Sequence, residues 1–206
     1  MDLLTFFITV SLITVSGALS PGPLTFGLIL SSTKYGTRAG LEAAIGHTLI
    51  ELPLAFLIFS GTIIFSAFLG KLIALIGGAA LIFYGIMGMR NVKNEKRQFR
   101  MFRGLYVGLL FTALNPYFIV WWLTIGMALS QISIYSLGTA SFPIMYVSHV
   151  WVDYAWLIFI AFIANRGISL LKANVYNYIT KLFSFILIVF GILFVLVFIG
   201  ILQLPT

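Results

Sequence analysis

Two long uncharged stretches, each broken by proline, leave this chain few folds to choose from. The first runs from Leu3 to Thr33 and contains Ser20-Pro21-Gly22-Pro23; the second begins at Gly104 and contains Asn115-Pro116. About 20 consecutive apolar residues are enough to cross a bilayer as a helix. Proline removes a helical hydrogen bond, and in lipid the freed backbone groups must be satisfied by protein, water or a ligand. Interruptions at comparable places in two halves of a chain point to the binding site of a transporter built from inverted repeats.

The rest of the composition agrees with a lipid-embedded chain. Of 206 residues, 61% are hydrophobic and 8% charged, where a soluble domain carries about 25% charged residues. Mean hydropathy is +1.12. No room remains for a separate soluble domain, so residues 1–206 form a single transmembrane domain. Val15-Ser16-Gly17-Ala18-Leu19-Ser20 has the small residues of a signal-peptide cleavage site, but no Lys or Arg precedes Lys34. The positive n-region of a signal peptide is therefore missing, and the first stretch reads as a retained span. Cysteine is absent, which excludes disulfides and thiolate metal sites.

Six spanning helices are expected, near 3–31, 43–67, 72–89, 104–128, 142–164 and 176–202, with a polar loop from Gln131 to Ser141. Of twelve basic residues, all but Lys71 fall in the three alternate connections or at their edges: Lys34 and Arg38, then Arg90 to Arg103, then Arg166, Lys172 and Lys181. The positive-inside rule makes that side cytoplasmic and places both termini outside. The basic run from Arg90 to Arg103 is a topology-setting loop that can touch anionic head groups. It lacks the interleaved aromatic platforms of a nucleic-acid surface.

The few ionisable residues inside the spans repeat. His47 and Glu51 lie in the second span and His149 and Asp153 in the fifth, both as His-x-x-x-acid, each member 102 positions after its counterpart. Pro116 follows Pro21 by 95 positions. Three spans per half make the halves run in opposite directions, as two inverted repeats of about 1–90 and 104–206 joined by the loop of about 90–103. Residues i and i+4 share a helix face, so each His is within reach of its own acid. A charge at the bilayer centre costs roughly 2.5–3.5 kcal/mol on insertion scales, so these groups face the interior and carry function. A His–carboxylate pair is suited to moving a proton near neutral pH; a plain structural contact is the alternative for each pair alone, and repetition weakens it. Pro53 should kink the second span beside Glu51, and the fifth has no proline there, so the two sites are not equivalent. Gly36, Gly40 and Gly46 read as close packing at the entry to span two. Trp121, Trp122, Trp151 and Trp156 read as interfacial anchors, although Trp156, three residues after Asp153, can also cover a substrate ammonium by cation–π contact.

Ser-Pro-Gly-Pro, Gly36-x3-Gly40-x5-Gly46, Thr112-Ala-Leu-Asn-Pro116 and Asp153-x-x-Trp156 together resemble the lysine exporter (LysE/RhtB) family of amino-acid exporters, over essentially the whole chain. The resemblance implies a six-helix inner-membrane protein that exports amino acids or related metabolites, driven by the proton gradient. It further implies that Pro21, Gly22, Pro23, Asn115, Pro116 and Asp153 are functional positions, with Glu51 at an intramembrane acidic position. Tyr117 stands where many members carry Lys.

The fold expected is thus all-α and polytopic, with helices 1 and 4 broken at proline. Substrate is expected at Pro21, Gly22, Pro23, Asn115, Pro116 and Trp156, and proton coupling at Glu51, Asp153, His47 and His149. No cofactor is implied, the partners are a small solute and the bilayer, and a homo-oligomer is left open. A divalent-metal exporter is the competing reading, because two His and two carboxylates can make an N/O site. A membrane hydrolase using His47 with Ser20 or Ser148 lacks a Gly-x-Ser-x-Gly motif and is set aside.

Overall fold

A computed structural model describes residues 1–20, 22–62, 67–91, 102–169 and 173–201. Pro21, most of the basic run (Lys93, Lys96, Arg97, Arg100) and Lys172 lie outside them. All regular structure among the described residues is helical: α1 Leu3–Ala18, α2 Pro23–Tyr35, α3 Arg38–Phe59, α4 Ala67–Asn91, α5 Gly104–Ala113, α6 Pro116–Trp121, a π-helical turn Trp122–Gly126, α7 Met127–Leu137, α8 Phe142–Ser169 and α9 Ala173–Phe198. Five helical stretches are long and apolar enough to cross a membrane, and six if α1 and α2 count as one bent span.

Both long stretches are interrupted as helices, α1 ending at Ala18 before α2 begins at Pro23 and α5 ending at Ala113 before α6 begins at Pro116. The axes of α1 and α2 differ by 75°. The expected fourth span, 104–128, needs correction. α5 stops at Ala113 after 10 residues, about 15 Å of rise, half a hydrocarbon core. Helix then restarts at Pro116 and runs through the π turn to Leu137. The expected polar loop from Gln131 to Ser141 shrinks to Gly138–Ser141. Serines in and just before that stretch find acceptors within the protein. Ser130 Oγ donates to Gly126 O at 2.9 Å, and Ser133 Oγ donates to Ser141 Oγ at 2.7 Å.

α3 is the axis of the molecule, packed on both α5 and α8. Its helix continues unbroken through Pro53. The close packing expected at Gly40 and Gly46 is present: a Cβ on Gly40 would strike the Leu157 carbonyl of α8, and one on Gly46 the Leu105 carbonyl of α5. α5 reciprocates, since Gly104 and Gly108 lie directly against the Ala39 and Ala43 carbonyls. Gly36 makes the α2–α3 turn at φ 68°, a conformation open to glycine at little cost. α2 packs against α5 and α8, α1 against α8, and α4 along α9. The buried core between them contains Leu28, Leu30, Tyr84, Phe111, Leu187 and Phe194.

The helix ends carrying basic residues lie together. Glu42 Oε1 accepts from Arg103 NH2 at 3.3 Å and lies 3.3 Å from Arg38 Nε. Asn165 Nδ2, next to Arg166, donates to Thr37 Oγ1 at 3.4 Å. At the chain start, outside the spans, Asp2 caps α1: Thr5 N–H donates to its Oδ1 at 3.0 Å. That bond holds the Asp2 carboxyl below its usual range.

Candidate functional site in the cavity between the broken helices

A cavity of about 270 Å³ opens where α1 gives way to α2 and α5 to α6. Four groups of residues line it. The α1–α2 break contributes Ser16, Gly17, Ala18, Ser20 and Gly22 to Thr25; the α5–α6 break contributes Asn115, Tyr117 and Phe118; the junction of α6 with the π turn brings Trp121 and Trp122. His47 and Glu51 of α3 face His149, Asp153 and Trp156 of α8, with Leu157 and Phe190 closing the wall. All the candidate site residues within the described chain converge here, except that Pro116 is buried one position behind the wall as the first residue of α6.

The two helix N-termini at the breaks differ. α6 is capped by its own chain: Asn115 Oδ1 accepts from Tyr117 N–H at 3.1 Å. α2 has Gly22 at its cap, with no side chain to accept, and Pro23 next. The first intrahelical donor there is Phe26 N–H, bonded to Gly22 O. The N–H groups of Leu24 and Thr25 therefore have no partner inside the helix, and both residues line the cavity. A helix end of this kind attracts anions through its donors and its dipole.

His47 keeps to the acid of its own helix, whereas His149 reaches across to the other half. Both converge on Glu51, which is only 2% exposed. His47 Nε2 lies 3.0 Å and His149 Nε2 3.1 Å from Glu51 Oε1. Trp122 Nε1 donates to the same oxygen at 3.2 Å, and Tyr146 OH donates to Oε2 at 3.2 Å. Asp153 is treated differently. His149 Nε2 is 3.2 Å from Asp153 Oδ2 but is aimed at Glu51, and Oδ2 makes no hydrogen bond. The expectation that the two sites are inequivalent is met, in a form the spacing did not suggest.

Each imidazole is also held from behind. His47 Nδ1 lies 2.8 Å from Thr112 Oγ1 of α5, and His149 Nδ1 lies 2.8 Å from Thr14 Oγ1 of α1. Thr14 gives its own proton to Val10 O at 2.8 Å, so it can only accept from His149, whose Nδ1 carries hydrogen. One proton then lies between His149 Nε2 and Glu51 Oε1. Either His149 is an imidazolium donating to a carboxylate, or Glu51 is an acid donating to a neutral imidazole. A single acid proton on Oε1 cannot serve both His residues, so His47 donates in the second case. The geometry demands a proton on this line in both.

The sequence assigned no place beside the His–acid pairs to Thr14, Thr112, Trp122 or Tyr146. No charge marks them, and the threonines, 98 positions apart, match neither the 102 of the acids nor the 95 of the prolines. Trp121 and Trp122 are not interfacial anchors. Consecutive helical residues do not share a face, but both line the cavity where the π turn, Trp122–Gly126, begins. Single π turns of this kind occur frequently at functional sites. Trp122 also packs edge-on to His149, ring centres 5.0 Å apart. Trp151 is the more exposed one, stacked on Phe7 and donating to Ser11 Oγ at 2.9 Å.

The family model of the LysE type translocators matches residues 15–197, a span that includes the whole cavity wall. The chain belongs to the LysE-type translocator family. No characterised protein and no solved structure shows significant similarity to it. By its family the translocator is a multi-pass membrane protein that moves a small solute. One further property of its site bears on which solute. His47, Glu51 and Asp153 offer ligand atoms all within 4.8 Å of one another, a spacing compatible with a divalent cation as well as with proton exchange.

Proposed function

We propose that this translocator exports amino acids by antiport with protons, binding the substrate zwitterion across the cavity. The substrate carboxylate takes the free N–H groups of Leu24 and Thr25 at the uncapped start of α2. Its ammonium group takes Asp153, with Trp156 beside it. What carries the reading is that one cavity is lined both by an uncapped helix N-terminus and by a buried carboxylate with an oxygen free to accept. An amino acid has one group for each.

Proton coupling belongs to the cluster next door. Glu51 exchanges its proton with His149, and Asp153 lies against the same imidazole. When a proton entering from outside reaches Asp153, the carboxylate no longer holds an ammonium group and the substrate is released. Loss of that proton to the cytoplasm restores the site. Alternation of access comes from rocking one three-helix repeat against the other. Packing across the two halves supports such a repeat: α3 of the first half against α5 of the second is matched by α8 of the second against α1 of the first, and α4 pairs with α9. The clustered basic helix ends are cytoplasmic by the positive-inside rule, and both termini are outside.

Proteoliposomes carrying the full chain test this. An imposed pH gradient should drive amino-acid accumulation, and Asp153→Asn should abolish it. A second reading, export of a first-row divalent cation, is favoured by the spacing of His47, Glu51 and Asp153. If Zn2+ or Mn2+ moves under the same gradient and no amino acid does, the second reading replaces the first.

A further inference from the structure

Three features of the cavity together restrict what fits it. The first is its inventory of free polar groups. Glu51 has both oxygens engaged, by His47, His149, Trp122 and Tyr146. Asp153, 93% buried, has Oδ2 without a hydrogen bond, and the indole N–H groups of Trp121 and Trp156 are buried without an acceptor. Among the buried side-chain atoms of the wall, the unpartnered ones are thus one anionic acceptor and two neutral donors, the latter joined by the N–H groups opening α2.

The second feature is what the wall lacks. Among the described residues lining the cavity none is Lys or Arg. A second carboxylate on a substrate would be buried with no free cation to meet it, because both imidazoles are already held by Glu51. A second ammonium would find no further free carboxylate. Burying an unpaired charge is costly enough to act as rejection. The third feature is the rest of the surface. Tyr117, Phe118, Trp121, Trp122, Trp156 and Phe190 supply six aromatic rings, and Leu24 and Leu157 add aliphatic surface. Ligand sites of this type read shape and apolar area through the wall and orientation through a few polar groups.

We propose that the substrate of this cavity is a neutral amino acid with a large apolar or aromatic side chain, and that amino acids carrying a second charge are rejected. This rests on the amino-acid reading above and sharpens it. The backbone zwitterion is clamped between α2 and Asp153, and the side chain lies among the rings. Small neutral amino acids satisfy the clamp but leave the aromatic wall uncovered, so they bind more weakly than large ones without being rejected.

Counterflow in proteoliposomes of the full chain tests it. Vesicles are loaded with unlabelled phenylalanine, leucine, alanine, lysine or glutamate, and uptake of trace labelled leucine is followed. Phenylalanine and leucine should drive exchange at least tenfold better than lysine or glutamate at equal concentration, with alanine between. Intrinsic tryptophan fluorescence gives a second measure without transport, because three tryptophans line the site; phenylalanine should shift it at concentrations at least tenfold below those needed for lysine. If lysine or glutamate matches leucine within threefold, the inference is overturned while amino-acid transport stands. If no amino acid exchanges or binds, the amino-acid reading itself falls and takes this inference with it.

Discussion

Glu51→Gln is the most informative single change. The amide keeps the length and shape of the side chain. Its oxygen can still accept from His47 Nε2, His149 Nε2 and Trp122 Nε1, now 3.0, 3.1 and 3.2 Å from Oε1. Its NH2 can donate to Tyr146 OH. What is lost is the charge and the exchangeable proton. A hydrogen bond to an ionised group contributes about 1.5–3 kcal/mol and a neutral one about 0.5–1.5. Taking the difference of about 1 kcal/mol for each of the two imidazoles, and somewhat less for the indole, gives a cost of about 2–3 kcal/mol. At roughly 2–4 °C per kcal/mol for a chain of this size, the melting temperature in detergent should fall by about 4–12 °C. The protein should remain folded, because only the Tyr146 O–H loses its acceptor. Leucine binding by fluorescence should persist, since Glu51 does not hold the ammonium, whereas pH-driven accumulation should be lost. A variant that melts like the wild type and still accumulates leucine under a pH gradient refutes the role assigned to this cluster.

Three further outcomes are expected. Thr14→Val removes the acceptor of His149 Nδ1–H and should cost about 1–3 kcal/mol, with a displaced pH profile of transport; Thr14→Ser should restore both, measured by thermal melting and by efflux rate against pH. Gly108→Ala drives a methyl into the Ala43 carbonyl, where backbone cannot step aside, and should destabilise by about 1–3 kcal/mol of overpacking, read as a lower melting temperature. Exchange of one zwitterion for one proton moves one net charge, so an applied potential of 100 mV, about 2.3 kcal/mol per charge, should sustain a leucine gradient of about fiftyfold at 1.36 kcal/mol per decade; no response to valinomycin-clamped potential would rule out that stoichiometry.

The membrane class and the two breaks were legible in the sequence because hydropathy and proline act locally. Pro23 and Pro116 each begin a helix, as an N1 proline does. The two intramembrane acids were legible because a charge inside an apolar span is expensive and so conspicuous. Their partners were not. That both imidazoles turn to Glu51 follows from the way α3 and α8 face each other, and i,i+4 spacing alone favours pairing within one helix. Trp122 and Tyr146 look like any other aromatics of a lipid-embedded chain until the fold directs their N–H and O–H to Oε1. The end of the fourth span was misplaced for a related reason. Ser130 and Ser133 look like loop residues, but find acceptors inside the helix and across the Gly138–Ser141 turn.

Proton movement measured alongside amino-acid movement is the most direct test of the proposed exchange. With a pH-sensitive dye sealed inside proteoliposomes at zero potential, outward leucine flux should acidify the lumen by one proton per leucine, and both fluxes should vanish together in Asp153→Asn. Leucine efflux with no accompanying proton, or a proton flux that survives Asp153→Asn, would contradict it.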